Sequence, residues 1–128
     1  MNKTRILLVV LMLIIIAGSI NSQVKNKRIK FPRGESSATV ENSIVRGDQD
    51  TYLVGASRDQ YMIITIMSVE DNAVFQIINK KTGDCLPGAE EGTDIKRWEG
   101  NLPSTGDYKI IVGGTRGNCE YTMKVSVE

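Results

Sequence analysis

The sequence predicts an all-β domain: an antiparallel β-sandwich of seven to eight short strands, following an N-terminal segment removed on export. Three observations carry this. Beyond residue 22 no stretch repeats its apolar residues with the 3.6-residue period of an amphipathic helix. Segments alternating apolar and polar residues recur instead, each bounded by clusters of Gly, Asp, Asn, Ser or Pro. With 128 residues the chain has room for one such domain. An open Greek-key barrel is the alternative closure of the same strands.

Taken in order, residues 1–22 read as a signal peptide. Lys3 and Arg5 form a basic head, Ile6–Ala17 is unbroken apolar chain, and Ala17 to Ser22 is small or polar. The apolar run is about 12 residues, short of the ~20 that cross a bilayer, so cleavage is expected rather than retention as an anchor. Ser19 and Ser22 both suit the cleavage site. No membrane association is expected after cleavage, which places the protein in the periplasm or outside the cell. Residues 23–33 form a basic lead-in holding Lys25, Lys27, Arg28, Lys30 and Arg33, within which Arg28–Phe31 is able to pair as a first strand. The sandwich proper is expected over 34–128.

Ser37–Arg46 reads as a strand, with a bulge expected at Glu41-Asn42. Gly47–Asp50 turns the chain into Thr51–Ala56, with Tyr52, Val54 and Ala56 on one face. Gln60–Ser68 is apolar on both faces, so a central strand buried on both sides is expected. Ala73–Asn79 follows, then a Gly-containing hairpin loop through Lys80–Asp84 and a surface loop over Leu86–Thr93. Asp94–Gly100 carries the lone Trp98, expected in the core or at its rim rather than as a sugar-stacking platform. The strands Asp107–Gly113 and Cys119–Val127 close the domain.

Composition removes whole classes of chemistry. The chain has no His, which excludes Ser-His-Asp and Cys-His nucleophiles and His-ligated metals. It has no Gly-x-Ser-x-Gly elbow and no phosphate-cradling loop. Asp48 with Asp50, and Glu90 and Glu91 with Asp94, are the carboxylate clusters to weigh for glycosidase work, or for a hard cation in the first case. Each sits in a Gly-flanked turn, where acidic residues are ordinary. No catalytic residue, metal or cofactor is therefore expected. From Gly34 onward 9 Lys and Arg face 15 Asp and Glu, a net of −6 that repels nucleic acid and suits a cationic partner or plain solubility. Two cysteines, Cys85 and Cys119, lie in the exported part and are expected to pair as a disulfide. Closing a loop of roughly 35 residues would stabilise the fold by about 4 kcal/mol.

The order of motifs is more specific than any one of them. Phe31 to Ser37, the turn and strand from Gly47 to Tyr52, the Asp59-Gln60 turn, Asn72 to Ile77, Trp98 to Val112 and Thr115 to Val127 follow one another in a pattern that resembles the secreted inhibitors of g-type lysozyme. Asp59 stands where that family has Gly, and Asp tolerates a left-handed turn. Cys119 stands where a small residue such as Ala is more usual. The resemblance implies an inhibitor that occludes a lysozyme's glycan cleft with a hydroxyl-Gly-x-Tyr loop, here Ser104, Thr105, Gly106, Asp107 and Tyr108, assisted by a neighbouring loop through Thr115, Arg116 and Gly117. In that role a Ser104 or Thr105 hydroxyl bonds a catalytic carboxylate, Gly106 permits close approach, Tyr108 is an aromatic wedge and Arg116 pairs with a carboxylate. The implied partner is a cationic lysozyme, g-type first, met by a monomer or homodimer. The same motifs resemble secreted pre-peptidase C-terminal modules, which leaves a non-catalytic domain binding protein or cell-surface carbohydrate as the alternative.

Overall fold

The structure, a computed structural model, describes residues 26–128; the signal-peptide reading and residues 23–25 of the lead-in lie outside the described residues. Eight strands form two four-stranded sheets. They are β1 (Asn26–Arg28), β2 (Ser37–Ile44), β3 (Gln49–Ala56), β4 (Tyr61–Ser68), β5 (Ala73–Asn79), β6 (Arg97–Asn101), β7 (Gly106–Gly114) and β8 (Cys119–Val127). One sheet has the order β1-β3-β7-β5, the other β2-β8-β4-β6. The architecture is the expected sandwich.

Alternation decides which face each strand buries. In the first sheet Tyr52, Val54, Phe75, Ile77, Tyr108, Ile110 and Val112 point inward. Ile44, Met62, Ile64, Ile66, Met123 and Val125 meet them from the second. Fully burying one such side chain stabilises the fold by about 1.5–3 kcal/mol, so the interleaved faces hold the layers together. Between the layers the Tyr52 and Tyr121 hydroxyls are hydrogen-bonded to each other, and Tyr121 also donates to the Asp50 carboxylate. Asn42 Nδ2 donates to the same carboxylate at 2.8 Å. Burial first, then these partners, pushes the Tyr121 phenol well above its ordinary range. One Asp50 carboxylate oxygen is thus held by Asn42 and Tyr121 on the inner side of the strand.

Several elements differ from their sequence reading. The first strand is Asn26–Arg28, earlier than Arg28–Phe31, and it runs parallel to β3, so one pair in the sandwich is not antiparallel. Arg28 crosses above Gly55, which has no side chain to obstruct it, and grips Asp107 of β7 with bonds of 3.0 and 2.8 Å. The lead-in is thereby part of the sheet rather than a tether. β2 carries no bulge: it pairs with β8 without interruption from Ser37 opposite Ser126 to Ile44 opposite Cys119. β4 is central, between β8 and β6, but only Met62, Ile64 and Ile66 are buried; Met67 on its other face is 71% exposed. Nothing in the second sheet's partner layer reaches that outer face.

Leu86 and Ala89, read as part of a surface loop, are buried. The segment they belong to lies along the free edge of β5 and satisfies it: Ile77 N donates to Ala89 O, Leu86 N to Ile77 O, Asn79 N to Asp84 O and Phe75 N to Ile95 O. Trp98 sits at the rim, half-buried, its Nε1 donating to Pro87 O at 2.9 Å and so pinning the same segment.

The expected disulfide is absent: Cys85 and Cys119 are both free thiols. Cys85 pairs with Ile78 toward the end of β5, whereas Cys119 lies beside Gly114, which pairs with Ala73 at the start of that strand. Five residues of strand amount to about 17 Å, far beyond the ~4.4–6.8 Å between Cα atoms that a bridge tolerates.

Candidate functional site

The two loops singled out in the sequence flank a single strand. β7 begins at Gly106 and ends at Gly114. Eight steps of antiparallel strand separate them by about 27 Å. Ser104, Thr105, Gly106 and Tyr108 therefore lie at one end of the sandwich, and Thr115 and Arg116 at the other. The expectation of two loops side by side is overturned by this topology, because consecutive connections must sit at opposite ends of the strand between them.

At the first end the chain leaves β6 through Leu102, which is buried and bonded on both sides to the β3–β4 turn: Leu102 N to Gln60 O at 2.8 Å, Asp59 N to Leu102 O at 2.9 Å. Asp59 holds φ at 70°, the left-handed value its place in the turn demands. Arg58 N donates to Thr105 Oγ1 at 2.9 Å, and Asn79 Nδ2 to Ser104 Oγ at 3.0 Å. Gly106 has φ of 149°, outside what a side chain readily accepts.

Tyr108 is not a wedge. It is 0% exposed, and its hydroxyl turns back to donate to Ser104 O at 2.6 Å and accept from Ser104 N at 3.2 Å. A tyrosine that folds back onto backbone a few residues upstream is a fixture of sandwich corners, where it locks a connection in place. The reading of Tyr108 as an aromatic probe is corrected accordingly: it shapes the tip from within, and cannot enter another molecule. Thr105 remains exposed, and the oxygen that accepts from Arg58 still carries a proton to donate outward.

Three connections are knit together at the other end. Thr115 N donates to Asn72 O at 2.8 Å. The Asn72 amide, buried, donates in turn to Arg116 O at 2.9 Å and Asn118 O at 3.0 Å. Arg46 N donates to Asn118 Oδ1 at 2.8 Å, tying in the β2–β3 turn. Arg116 is exposed; one guanidinium nitrogen donates to Glu70 O at 2.8 Å, which orients the fork and leaves its other N–H groups to solvent. Val45 and Val69, 61% and 85% exposed, line a groove of about 370 Å³ together with Ile44, Glu70, Asn118 and Cys119, and Arg116 reaches it through the Glu70 carbonyl. Sequence reading passed over both valines. For Val69 the signal was present, since it is a lone β-branched apolar residue between Ser68 and Glu70 in a turn cluster; Val45 follows Ile44 at the end of an expected strand and gave none.

Glu90, Glu91 and Asp94 lie on the β5–β6 connection, at the margin of an open groove on the outer face of the first sheet. Among the described residues no group of His, Cys, Asp and Glu is arranged to hold a metal ion. No helix of the described residues is long and apolar enough to cross a membrane.

No family model matches the chain. It is 27% identical over 106 residues to an inhibitor of g-type lysozyme from Escherichia coli, spanning 82% of this chain and 72% of that protein. The crystal structure of a periplasmic inhibitor of g-type lysozyme from Aeromonas hydrophila superposes with a TM-score of 0.67 at 25% identity, covering 83% of this chain and 98% of the other. The pre-peptidase C-terminal domain of a Bacillus anthracis collagenase gives a TM-score of 0.58 at 18% identity over 84% of this chain and 99% of that domain, a likeness of fold alone. In both sequence and fold, over most of its length, the chain is therefore similar to the inhibitors of g-type lysozyme.

Proposed function

We propose that this protein is a periplasmic or secreted inhibitor of g-type lysozyme, acting by occlusion of the enzyme's glycan cleft rather than by catalysis. The observation that carries the reading is the likeness to a g-type lysozyme inhibitor over 82% of the chain. A single cleft engages one end of a sandwich this long, and the end carrying Thr115 and Arg116 is the better suited. Arg116 presents an oriented, exposed guanidinium, able to pair with a carboxylate of a glycosidase-type cleft, and the groove that holds its Glu70 anchor exposes Val45 and Val69. At the opposite end Ser104 is bonded inward and Tyr108 is buried, so of the residues the resemblance implied there only Thr105 keeps an outward hydroxyl.

The test is turbidity loss of a cell-wall suspension by a g-type lysozyme, with and without the purified protein. Arg116→Ala should weaken inhibition by at least about tenfold, the loss expected of a charged anchor of ~1.4 kcal/mol or more. Thr105→Ala should leave it within about twofold, since a rim contact contributes little. The reverse ranking would assign contact to the Thr105 end. No inhibition of any lysozyme, together with retention on polysaccharide, would replace the reading with a surface-binding module of the pre-peptidase C-terminal type.

A further inference from the structure

The sandwich leaves one long strand edge open. Of the four edge strands, β1 has three residues and β6 five, and the free side of β5 is saturated by the 84–95 segment. β2 has eight residues in unbroken register with β8 and, among the described residues, no strand on its other side. Val127 N donates to Ser36 O, which fixes the phase of that ladder: Ala38, Val40, Asn42 and Ile44 face β8, while Ser37, Thr39, Glu41 and Ser43 turn their N–H and C=O groups outward. Among the described residues none of these outward groups has a backbone partner.

Proteins ordinarily blunt such an edge with a bulge, a proline, a lysine or a covering loop. β2 has none of them. Apart from Glu41 it is uncharged. Beside it a crevice of about 340 Å³ separates β2 from β1, lined by Ile29, Val40, Asn42 and Tyr52 with Lys27 and Arg28 at its margin. Val40 in the middle of the strand is only half-buried, an apolar side chain at an edge where the core runs out.

We propose that β2 pairs antiparallel with β2 of a second copy of this chain, about a two-fold axis at Val40, joining two four-stranded sheets into one continuous sheet. The sequence is self-complementary in that register. Thr39 faces Glu41 of the second copy and Ser37 faces Ser43, so no like charges meet, and each outward N–H finds an outward C=O. Val40 packs on Val40 across the axis and extends the core through the crevice. A shift of the axis by one residue toward Ile44 would set Glu41 against Glu41, which disfavours that neighbouring register. An isologous contact of this kind closes on itself and stops at two copies. It rests on the β2 edge alone and not on the inhibitor reading.

Sedimentation equilibrium of the purified protein tests this. The wild-type chain should show a concentration-dependent dimer. Thr39→Lys places an ammonium opposite Glu41 twice per dimer and should tighten the dissociation constant by at least about threefold, whereas Thr39→Glu should weaken it by a similar factor. Both effects should shrink in high salt. Thr39 is exposed and its N–H points away from β8, so neither variant should alter the monomer's melting, and Thr39→Pro should abolish the dimer while keeping the β8 ladder. A chain that stays monomeric up to about 1 mM, the weak limit of specific association, overturns the proposal. A dimer that both charge variants leave unchanged overturns it equally, as would one sensitive only to changes away from β2, and this outcome holds even if the proline variant fails to fold.

Discussion

Tyr108 keeps its ring inside the fold, where the sequence reading had it project. It follows a Gly-containing turn and opens a strand, a place suited to a projecting aromatic. Yet Tyr108, Ile110 and Val112 share one alternation, and Ile110 and Val112 are core by any reading of the strand. The period alone therefore predicted an inward ring, and the motif outweighed it. With the ring buried, Tyr108→Ala removes a large core side chain and should cost about 3–5 kcal/mol of stability. Tyr108→Phe keeps the volume but leaves Ser104 O and N without their partner, and should cost about 1–3 kcal/mol. Denaturant unfolding of both variants checks the ordering; a Tyr108→Ala protein as stable as wild type would return the ring to the surface. Asp59 is the opposite case, where a departure from the family residue was legible as a tolerated left-handed turn and has φ of 70° as required.

Among the elements, those defined by alternation were legible and those defined by their neighbours were not. β5 and β8 fall on their expected residues because each has a clean two-residue period between turn clusters. β1 has no such pattern: its three residues are Asn26, Lys27 and Arg28, all exposed, and it is a strand only because β3 and the Arg28–Asp107 pair hold it. The 84–95 segment likewise gains its order from the β5 edge. The clasp on β1 carries a pH signature. Its hydrogen bond to Arg28 holds the Asp107 carboxyl below the usual carboxylate range, so the native state binds fewer protons than the unfolded chain as pH falls below about 4. The stabilisation is present above that pH and is lost as pH drops through the lowered folded value. Thermal melts from neutral to acidic pH should show wild type losing more stability than Asp107→Asn, by a modest amount because the pair is exposed. Equal acid sensitivity in the two proteins would remove the clasp from the account.

At the scale of the molecule, sheet count and overall sandwich were legible, since they need only strand number and turn spacing. Which loops share an end was not read off, although it follows from topology once β7 is recognised as one uninterrupted strand. The disulfide failed for a related reason: parity and export say nothing of where two cysteines lie along a strand. Without the bridge, the melting temperature should be unchanged by dithiothreitol, and Cys85→Ser should match wild type in either condition. A drop on reduction would place a covalent link where the structure has separate thiols. Burial, with the Asp50 charge adding to it, pushes the Cys119 thiol up and keeps it protonated. A sulfhydryl in that state reacts sluggishly, and its companion Cys85 is out of reach, paired with Ile78 near the far end of β5. Folding of the chain thus has no waiting step on an electron acceptor, and the same fold serves whether its surroundings are oxidising or reducing.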